Sequence, residues 1–124
     1  ISGLVGSEMC IRDRIQGDWL KCCNKASLDI VIANPPYLEK NDPHLADLSY
    51  EPEMALVADD RGLSNFKKIA LQAKSRLKKG GYLIFEHGYD QSKHVEKILS
   101  NNKFSILKKI QDYQGLDRLI IAQK

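Results

Sequence analysis

The sequence predicts a single α/β domain in which helices alternate with the strands of a sheet. Short apolar runs, typical of buried strands, alternate with longer segments that carry apolar residues at helical spacing. The chain has 124 residues, of which 43% are hydrophobic. This length suits one hydrophobic core and is too short for two.

The first predicted element is a strand over Leu28–Ala33, an apolar run bounded by turn residues that is typical of a strand buried on both faces. The stretch from Glu39 to Arg61 is rich in Asp, Pro, Asn and Glu, so we predict a long, partly ordered loop able to cover a substrate. Ser64 is expected to cap a helix that ends at Gly80-Gly81. Its apolar face consists of Phe66, Ile69, Ala70, Ala73 and Leu77.

The remaining elements complete the sheet. The sequence predicts a buried strand over Tyr82–Glu86, a helix over Gln91–Ser100 and a strand over Phe104–Asp112. A last strand, Arg118–Ala122, follows after a turn at Gln114-Gly115. This short connection allows only antiparallel pairing, so the sheet is expected to end in an antiparallel strand pair.

Composition narrows the possible functions. The net charge is +3, and the lysines are scattered among acidic residues, so nucleic-acid binding is not signalled. The three cysteines, which include the adjacent pair Cys22-Cys23, lack disulfide or CxxC spacing and are expected to be free thiols. The three histidines lie far apart, which predicts surface or locally hydrogen-bonded side chains and no metal site. No apolar run approaches the roughly 20 residues that span a bilayer, so a soluble, cytoplasmic protein without membrane partners is expected.

The tetrapeptide Asn34-Pro35-Pro36-Tyr37, directly after the first strand, is the strongest functional signal. Each proline fixes φ, lacks an N–H and keeps the preceding residue out of the helical region, so the turn is stiff. The Asn34 side-chain oxygen and the Pro35 carbonyl can each accept one N–H of a primary amide, which orients its weakly nucleophilic nitrogen toward a methyl donor. Tyr37 offers an aromatic face that excludes water. A Pro-Pro pair alone would indicate only a stiffened loop exit, but the whole tetrapeptide after a buried strand favours methyl transfer.

Together with further motifs, this tetrapeptide makes the chain resemble the protein-(glutamine-N5) methyltransferases that act on peptide chain release factors. The resemblance runs from Gln16 to Lys124 and concerns the C-terminal half of that family. It implies part of the Rossmann-like sheet of a class I S-adenosylmethionine-dependent methyltransferase. The further motifs are Gly17-Asp18-Trp19, Asp42-Pro43-His44-Leu45, Tyr50-Glu51-Pro52, Ala55-Leu56, Glu86-His87-Gly88 and Asp112-Tyr113 with Arg118.

The resemblance implies a cofactor, a substrate and residue roles. The methyl donor is S-adenosylmethionine, and the substrate is the glutamine of a Gly-Gly-Gln loop in a release factor. Asn34, Pro35, Pro36 and Tyr37 would bind the substrate. The catalytic residues would be Asn34, Pro35 and Tyr37, with Asn34 also close to the donor methyl.

The resemblance assigns Trp19 to the adenine end of the cofactor, with assistance from Asp18. On chemistry alone, Asp18 can accept an adenine N–H and Trp19 can stack on the ring. An ordinary turn aspartate and an anchoring core tryptophan are the competing interpretation. Glu86 and Glu51 are not assigned to the catalytic set, and Arg118 is expected to pair with Asp112 or Asp117.

The sequence also departs from the family. Such enzymes need a glycine-rich turn under the cofactor's methionine part, and no G-x-G-x-G occurs here; the family's N-terminal helical domain is also missing. We therefore expect residues 15–124 to be the C-terminal part of a catalytic domain, truncated and inactive alone. The strand Leu28–Ala33 would then form an apolar sheet edge. Residues 1–14 do not follow the family pattern and are expected to be an artefactual leader.

Two other functions stay open at this point. An N-methyltransferase that acts on an exocyclic amine of adenine or guanine in nucleic acid uses a similar N-P-P-aromatic turn. A non-catalytic binding module that docks a partner through residues 39–61 is the second alternative.

Overall fold

The described part of the chain forms a sheet of four strands. A computed structural model of the protein describes residues 11–124. The strands are β1 (Leu28–Ala33), β2 (Leu77–Glu86), β3 (Ser105–Gln111) and β4 (Asp117–Gln123), arranged in the order β1-β2-β4-β3. β1 and β2 are parallel, whereas β4 runs antiparallel to both β2 and β3. The α/β class and the antiparallel strand pair are thus confirmed.

Two helices cover one face of this sheet. α2 (Ser64–Arg76) lies between β1 and β2 in the chain, and α3 (Ser92–Asn101) lies between β2 and β3. The helices contact each other as well as the sheet, and their apolar sides close one core. The fully buried side chains of this core include Phe66, Ile69, Leu77, Leu83, Phe85, Val95, Leu99 and Ile120. None of the described helices is long and apolar enough to cross a membrane.

The segment predicted as a partly ordered loop contains local structure. It has two 3-10 helices, Pro43–Leu48 and Glu53–Ala55, and leads into the single turn α1 (Asp59–Gly62). Its base is closed by a parallel bridge between Leu38 and Val57. The bridge therefore holds the two ends of this segment together.

The prediction that β1 is buried on both faces is wrong. β1 is an edge strand, and of its residues only Val31 is buried. Ile30 and Ile32 point to the opposite side and are 53% and 74% exposed. The reason is that α2 and α3, which pack on the sheet, lie on the face that Val31 contacts. The expectation of an apolar edge at this strand is confirmed.

Two predicted helix ends are also wrong. Gly80-Gly81 does not end α2, because the chain already becomes extended at Leu77, and both glycines lie inside β2. A Cβ on Gly81 would lie 2.9 Å from the Asp29 carbonyl oxygen, so this glycine permits close approach of β1. Ser64 does not cap α2: the residue before the helix is Leu63, whose backbone is already helical and whose side chain makes no capping hydrogen bond.

The other predicted elements are confirmed to within a few residues. The helix predicted from Gln91 begins at Ser92, with Gln91 as the flanking residue. The turn between β3 and β4 contains Gly115, whose φ is +79° and whose N–H donates to the Asp112 carbonyl over 3.0 Å. Most of the expected leader, residues 1–10, lies outside the described residues.

This topology gathers the sequence motifs at one edge of the sheet. Parallel β1 and β2 end at the same edge, and antiparallel β4 begins there. The turn Asn34–Tyr37 follows β1, and Glu86-His87-Gly88 follows β2. The His87 N–H donates to the Arg118 carbonyl over 2.9 Å, which ties the start of β4 to this edge.

Candidate functional site

In the turn Asn34–Tyr37, one residue is buried and the residue before it is exposed. Pro35 is fully buried, so its ring fixes the turn to the body of the protein. Asn34 is exposed beside it at the end of β1, and Pro36 and Tyr37 are half-buried. The arrangement leaves the Asn34 side-chain amide accessible to a ligand while the backbone around it is held.

Two side-chain amides from the helical layer hold the backbone of this turn. Asn65 Nδ2, at the start of α2, donates to the Pro36 carbonyl over 3.3 Å. Gln91 Nε2 donates to the Tyr37 carbonyl over 3.1 Å. The Leu38 N–H then donates to the Leu56 carbonyl over 2.9 Å. Three successive residues are therefore fixed by partners from three distant parts of the chain.

Charged groups surround the Tyr37 ring. Burial raises the pKa of the Tyr37 phenol, and the nearby Glu86 carboxylate raises it further, whereas Arg118 opposes the shift. Arg118 Nε donates to Asp112 Oδ2 over 2.9 Å, which confirms one of its two predicted partners. This hydrogen bond is the main cause of a lowered Asp112 pKa. Glu86 and Arg118, which the sequence left unassigned, thus lie at the site.

Two clefts flank the turn. The larger, about 920 Å³, lies on the Tyr37 side and is lined by Tyr37, Gly88, Tyr89, Gln91, His94 and Arg118 among others. The smaller, about 600 Å³, is lined by Trp19 and Pro36 together with Lys40, Asp59, Asn65 and Lys68. The second cleft therefore joins the predicted cofactor residue Trp19 to the predicted substrate motif. Asn34 and Asp18 line neither cleft.

Trp19 is partly exposed and has an unusual backbone conformation. Its side chain is 38% exposed, and its φ of +53° is unusual for a bulky residue. The following residue fixes the turn to α2, because the Leu20 N–H donates to Gln72 Oε1 over 2.6 Å. The exposed ring fits the stacking role that the sequence suggests for Trp19.

Asp18, the neighbour of Trp19, is held by an ion pair. Its carboxylate forms an ion pair with Lys21, and this contact is the main cause of its lowered pKa. It is therefore an ionised acceptor, but it faces a lysine and not the cleft that Trp19 lines.

The sequence did not mark Asn65 and Gln91 as site residues. Both are polar residues near the starts of predicted helices, a place where amides are common for local reasons. Their partners in the turn lie 29 and 54 residues away in the chain. Only the folded arrangement of α2 and α3 beside the end of β1 reveals the contacts.

The chain is similar in sequence to curated release factor glutamine methyltransferases. It is 40% identical over 111 residues to the enzyme of Vibrio cholerae, an alignment that covers 87% of this chain and 39% of that protein. Identity to the Fusobacterium nucleatum protein is 45% over 101 residues, covering 77% and 28%. The resemblance based on the motifs is confirmed, and the chain spans about two fifths or less of these relatives' length. No protein-family profile matches the chain.

Solved structures share the fold. A candidate DNA modification methylase from Thermus thermophilus superimposes with a TM-score of 0.58 at 16% identity, covering 85% of this chain and 49% of that one. Its complex with S-adenosyl-L-methionine gives the same TM-score of 0.58 at 14% identity, covering 85% and 51%. At such low identity the likeness concerns the fold alone, and it confirms the prediction of a partial Rossmann-like fold.

Proposed function

Given this relationship to release factor glutamine methyltransferases, we propose that the chain supplies the substrate-holding part of such an enzyme. The reaction is transfer of a methyl group from S-adenosylmethionine to the side-chain amide nitrogen of the glutamine in a release factor's Gly-Gly-Gln loop. The observation that carries the proposal is the Asn34–Tyr37 turn, whose Pro35 is buried and whose Asn34 is exposed at the carboxyl edge of the sheet. The isolated chain is expected to be inactive, because its sequence contains no glycine-rich cofactor turn.

The turn acts by orienting a weak nucleophile. The nitrogen lone pair of a primary amide is delocalised into its carbonyl group, so the nitrogen reacts only when it is held in line with the methyl donor. The Asn34 side-chain oxygen and the Pro35 carbonyl each accept one N–H of that nitrogen. Tyr37 packs on the plane of the amide and excludes water. As the nitrogen forms its bond to the methyl group, the bond from that methyl group to the donor's sulfonium sulfur would break, leaving a neutral thioether, and the nitrogen would release one proton to solvent.

The cofactor contributes an electrophilic methyl group when it is bound. Trp19 is proposed to stack on its adenine ring, since the side chain is partly exposed in the same cleft as Pro36. Asn34 is proposed to lie near the methyl group. Asp18 can assist only by exchanging its lysine partner for an adenine N–H, because Lys21 occupies its carboxylate.

A chimaeric enzyme tests the proposal. Residues 15–124 of this chain replace the aligned segment of the Vibrio cholerae relative, and the product is incubated with labelled S-adenosylmethionine and a release factor. We expect mass spectrometry to find one methyl group on the glutamine of the Gly-Gly-Gln loop. Release factor, and not ribosomal RNA or DNA, should compete for the label. A chimaera that binds the cofactor but methylates only nucleic acid would contradict the proposed substrate.

The chain alone serves as the control in the same experiment. It should transfer no methyl group. It should also gain no thermal stability from S-adenosylmethionine, since a ligand well above its dissociation constant raises stability by a few kcal/mol only where a complete site binds it. Tight binding of release factor by the chain without any transfer by the chimaera would support the binding-module function instead.

A further inference from the structure

We propose that Gln91 is the positioning residue of the Asn34–Tyr37 turn: its side-chain amide fixes the Tyr37 carbonyl and thereby the placement of the Tyr37 ring. The importance of the Tyr37 ring rests on the proposed function, whereas the hydrogen bonds of Gln91 are observed independently of that function. Gln91 is 8% exposed. Its Nε2 donates to the Tyr37 carbonyl over 3.1 Å and to the Arg61 carbonyl over 3.2 Å, and its Oε1 accepts from the Gly88 N–H over 3.0 Å.

These three hydrogen bonds engage both ends of the amide group. A glutamine side chain has two N–H donors on one nitrogen and one carbonyl oxygen, and each is engaged here. The opposite orientation of the amide would place its oxygen against two carbonyls and its nitrogen against an N–H. The surrounding backbone therefore fixes the orientation of the Gln91 amide.

The three partners belong to three different segments that meet at the site. Tyr37 is in the turn after β1, Arg61 is at the end of the segment over residues 39–61, and Gly88 is in the turn after β2. The backbone of Gln91 itself starts α3, where its carbonyl accepts from the Val95 N–H over 2.9 Å. One side chain thus connects the motif to the helix, the sheet edge and the loop.

The backbone around the Tyr37 carbonyl and the Gln91 amide is tightly packed. A Cβ on Gly62 would lie 1.9 Å from the Tyr37 carbonyl oxygen and 2.7 Å from Gln91 Nε2. Among the described residues, the Tyr37 carbonyl has no other hydrogen-bond donor. A partly buried carbonyl that loses its donor is unfavourable, so without Gln91 the backbone at Tyr37 should shift. Gln91 acts through the motif's backbone, which makes it a positioning residue.

The pH at which the Tyr37 phenol ionises can be measured in the full chain, and it tests the positioning role of Gln91. Tyrosine labelled with ¹³C at the ring carbon bearing the hydroxyl gives one NMR signal for each tyrosine, and the Tyr37→Phe variant identifies the relevant signal. Because burial and the nearby Glu86 carboxylate raise the pKa of the Tyr37 phenol, this group should ionise at higher pH than a tyrosine in water.

The Gln91→Met variant keeps the length of the side chain and removes both donors. We expect the titration midpoint of Tyr37 to move toward the ordinary value of a tyrosine in water. The matched control is Gln123→Met, because Gln123 Nε2 donates to the Gly80 carbonyl over 3.0 Å at the opposite end of the sheet. That variant should leave the Tyr37 midpoint unchanged. An unshifted midpoint in a folded Gln91→Met protein would overturn the inference.

A second measurement needs no variant. Hydrogen exchange of the Gln91 side-chain NH₂ in the unmodified chain should be much slower than that of the exposed Gln114. Equal exchange rates would overturn the inference even if Gln91→Met fails to fold. Neither readout involves cofactor or methyl transfer, so failure of the proposed function and failure of this inference are distinguishable.

Discussion

Two glycines at the residue scale show how closely the backbone packs around the motif. Gly62 has a φ of +76° and lies against the Tyr37 carbonyl, whereas Gly115 has a φ of +79° and has no atom within 4 Å of a would-be Cβ. The two positions share the backbone conformation and differ in their surroundings. Alanine substitutions at these two positions therefore distinguish the cost of a left-handed backbone from the cost of a steric clash with the Tyr37 carbonyl.

We expect Gly115→Ala to reduce the free energy of unfolding by about 1–2 kcal/mol, the strain of a left-handed residue. Gly62→Ala should reduce it by about 2 kcal/mol more, because its methyl group overlaps the Tyr37 carbonyl. Urea unfolding of both variants measures the difference. Equal losses would mean that the backbone near Gly62 moves aside freely.

Asn34 and Pro35 should differ in their contribution to stability. Asn34→Ala should change the free energy of unfolding by less than about 0.5 kcal/mol, because the side chain is exposed. Pro35→Ala should lower it by clearly more, since a buried ring and a restriction on the unfolded chain are both lost. Thermal unfolding of the two variants tests this, and a large loss for Asn34→Ala would assign it a structural role.

The residue scale also shows what the sequence predicts well and what it does not. The stiffness of the tetrapeptide follows from proline chemistry within four residues, so the sequence predicts it directly. It does not predict the Gln91 contacts, because their partners are 54 and 30 residues away and depend on how α3 lies beside β1. The pairing of Arg118 with Asp112 lies between these cases, since six residues and one turn bring the two groups together.

At the element scale, the hairpin of β3 and β4 depends on Asp112. Its carboxylate accepts from Arg118 Nε over 2.9 Å, from the Gln114 N–H over 2.8 Å and from the Leu116 N–H over 3.0 Å. These bonds, chiefly that from Arg118, lower the pKa of the carboxyl group. A lowered folded-state pKa means that the stabilisation is present above the unfolded value, about 3.9, and is lost as pH falls through the folded value.

Asp112→Asn should therefore destabilise the protein at pH 7, and the difference from the unmodified chain should shrink below about pH 4. Urea unfolding at pH 7 and pH 3 measures it. The control is Asp29→Asn, which removes an exposed pair with Lys78 and should have little effect. A loss for Asp112→Asn of equal size at both pH values would mean that the carboxylate charge does not contribute.

The element boundaries show the limits of local patterns. Gly80-Gly81 follows a helical apolar pattern and so suggests a helix end, but Gly81 permits the close approach of β1 to β2. That requirement comes from the partner strand and is invisible in the local sequence. The strands can be predicted from their apolar residues, but the burial of each strand cannot, because in β1 only Val31 of the apolar run is buried.

At the scale of the whole molecule, the sheet has one covered face and one open face. On the open face, Ile32 pairs with Ile84, which in turn pairs with Ile121, so isoleucines from three strands form a continuous apolar row. None of the described helices packs there. An apolar edge strand beside an open apolar face favours association between molecules.

Ile32→Lys should therefore reduce self-association of the chain at micromolar concentrations. The control is Leu71→Lys, a similarly exposed apolar residue on α2, away from the open face, which should have a smaller effect. Sedimentation velocity over a range of concentrations measures both. Equal behaviour of the two variants would mean that the open face does not mediate association.

Methyl transfer by the chimaeric enzyme, with and without Asn34→Ala, tests the central claim most directly. The claim is that the Asn34–Tyr37 turn of this chain orients a glutamine amide. We expect the chimaera to methylate the glutamine of the Gly-Gly-Gln loop, and Asn34→Ala to lower kcat at least about 100-fold while cofactor binding stays intact. Unchanged turnover in the Asn34→Ala chimaera would contradict the claim.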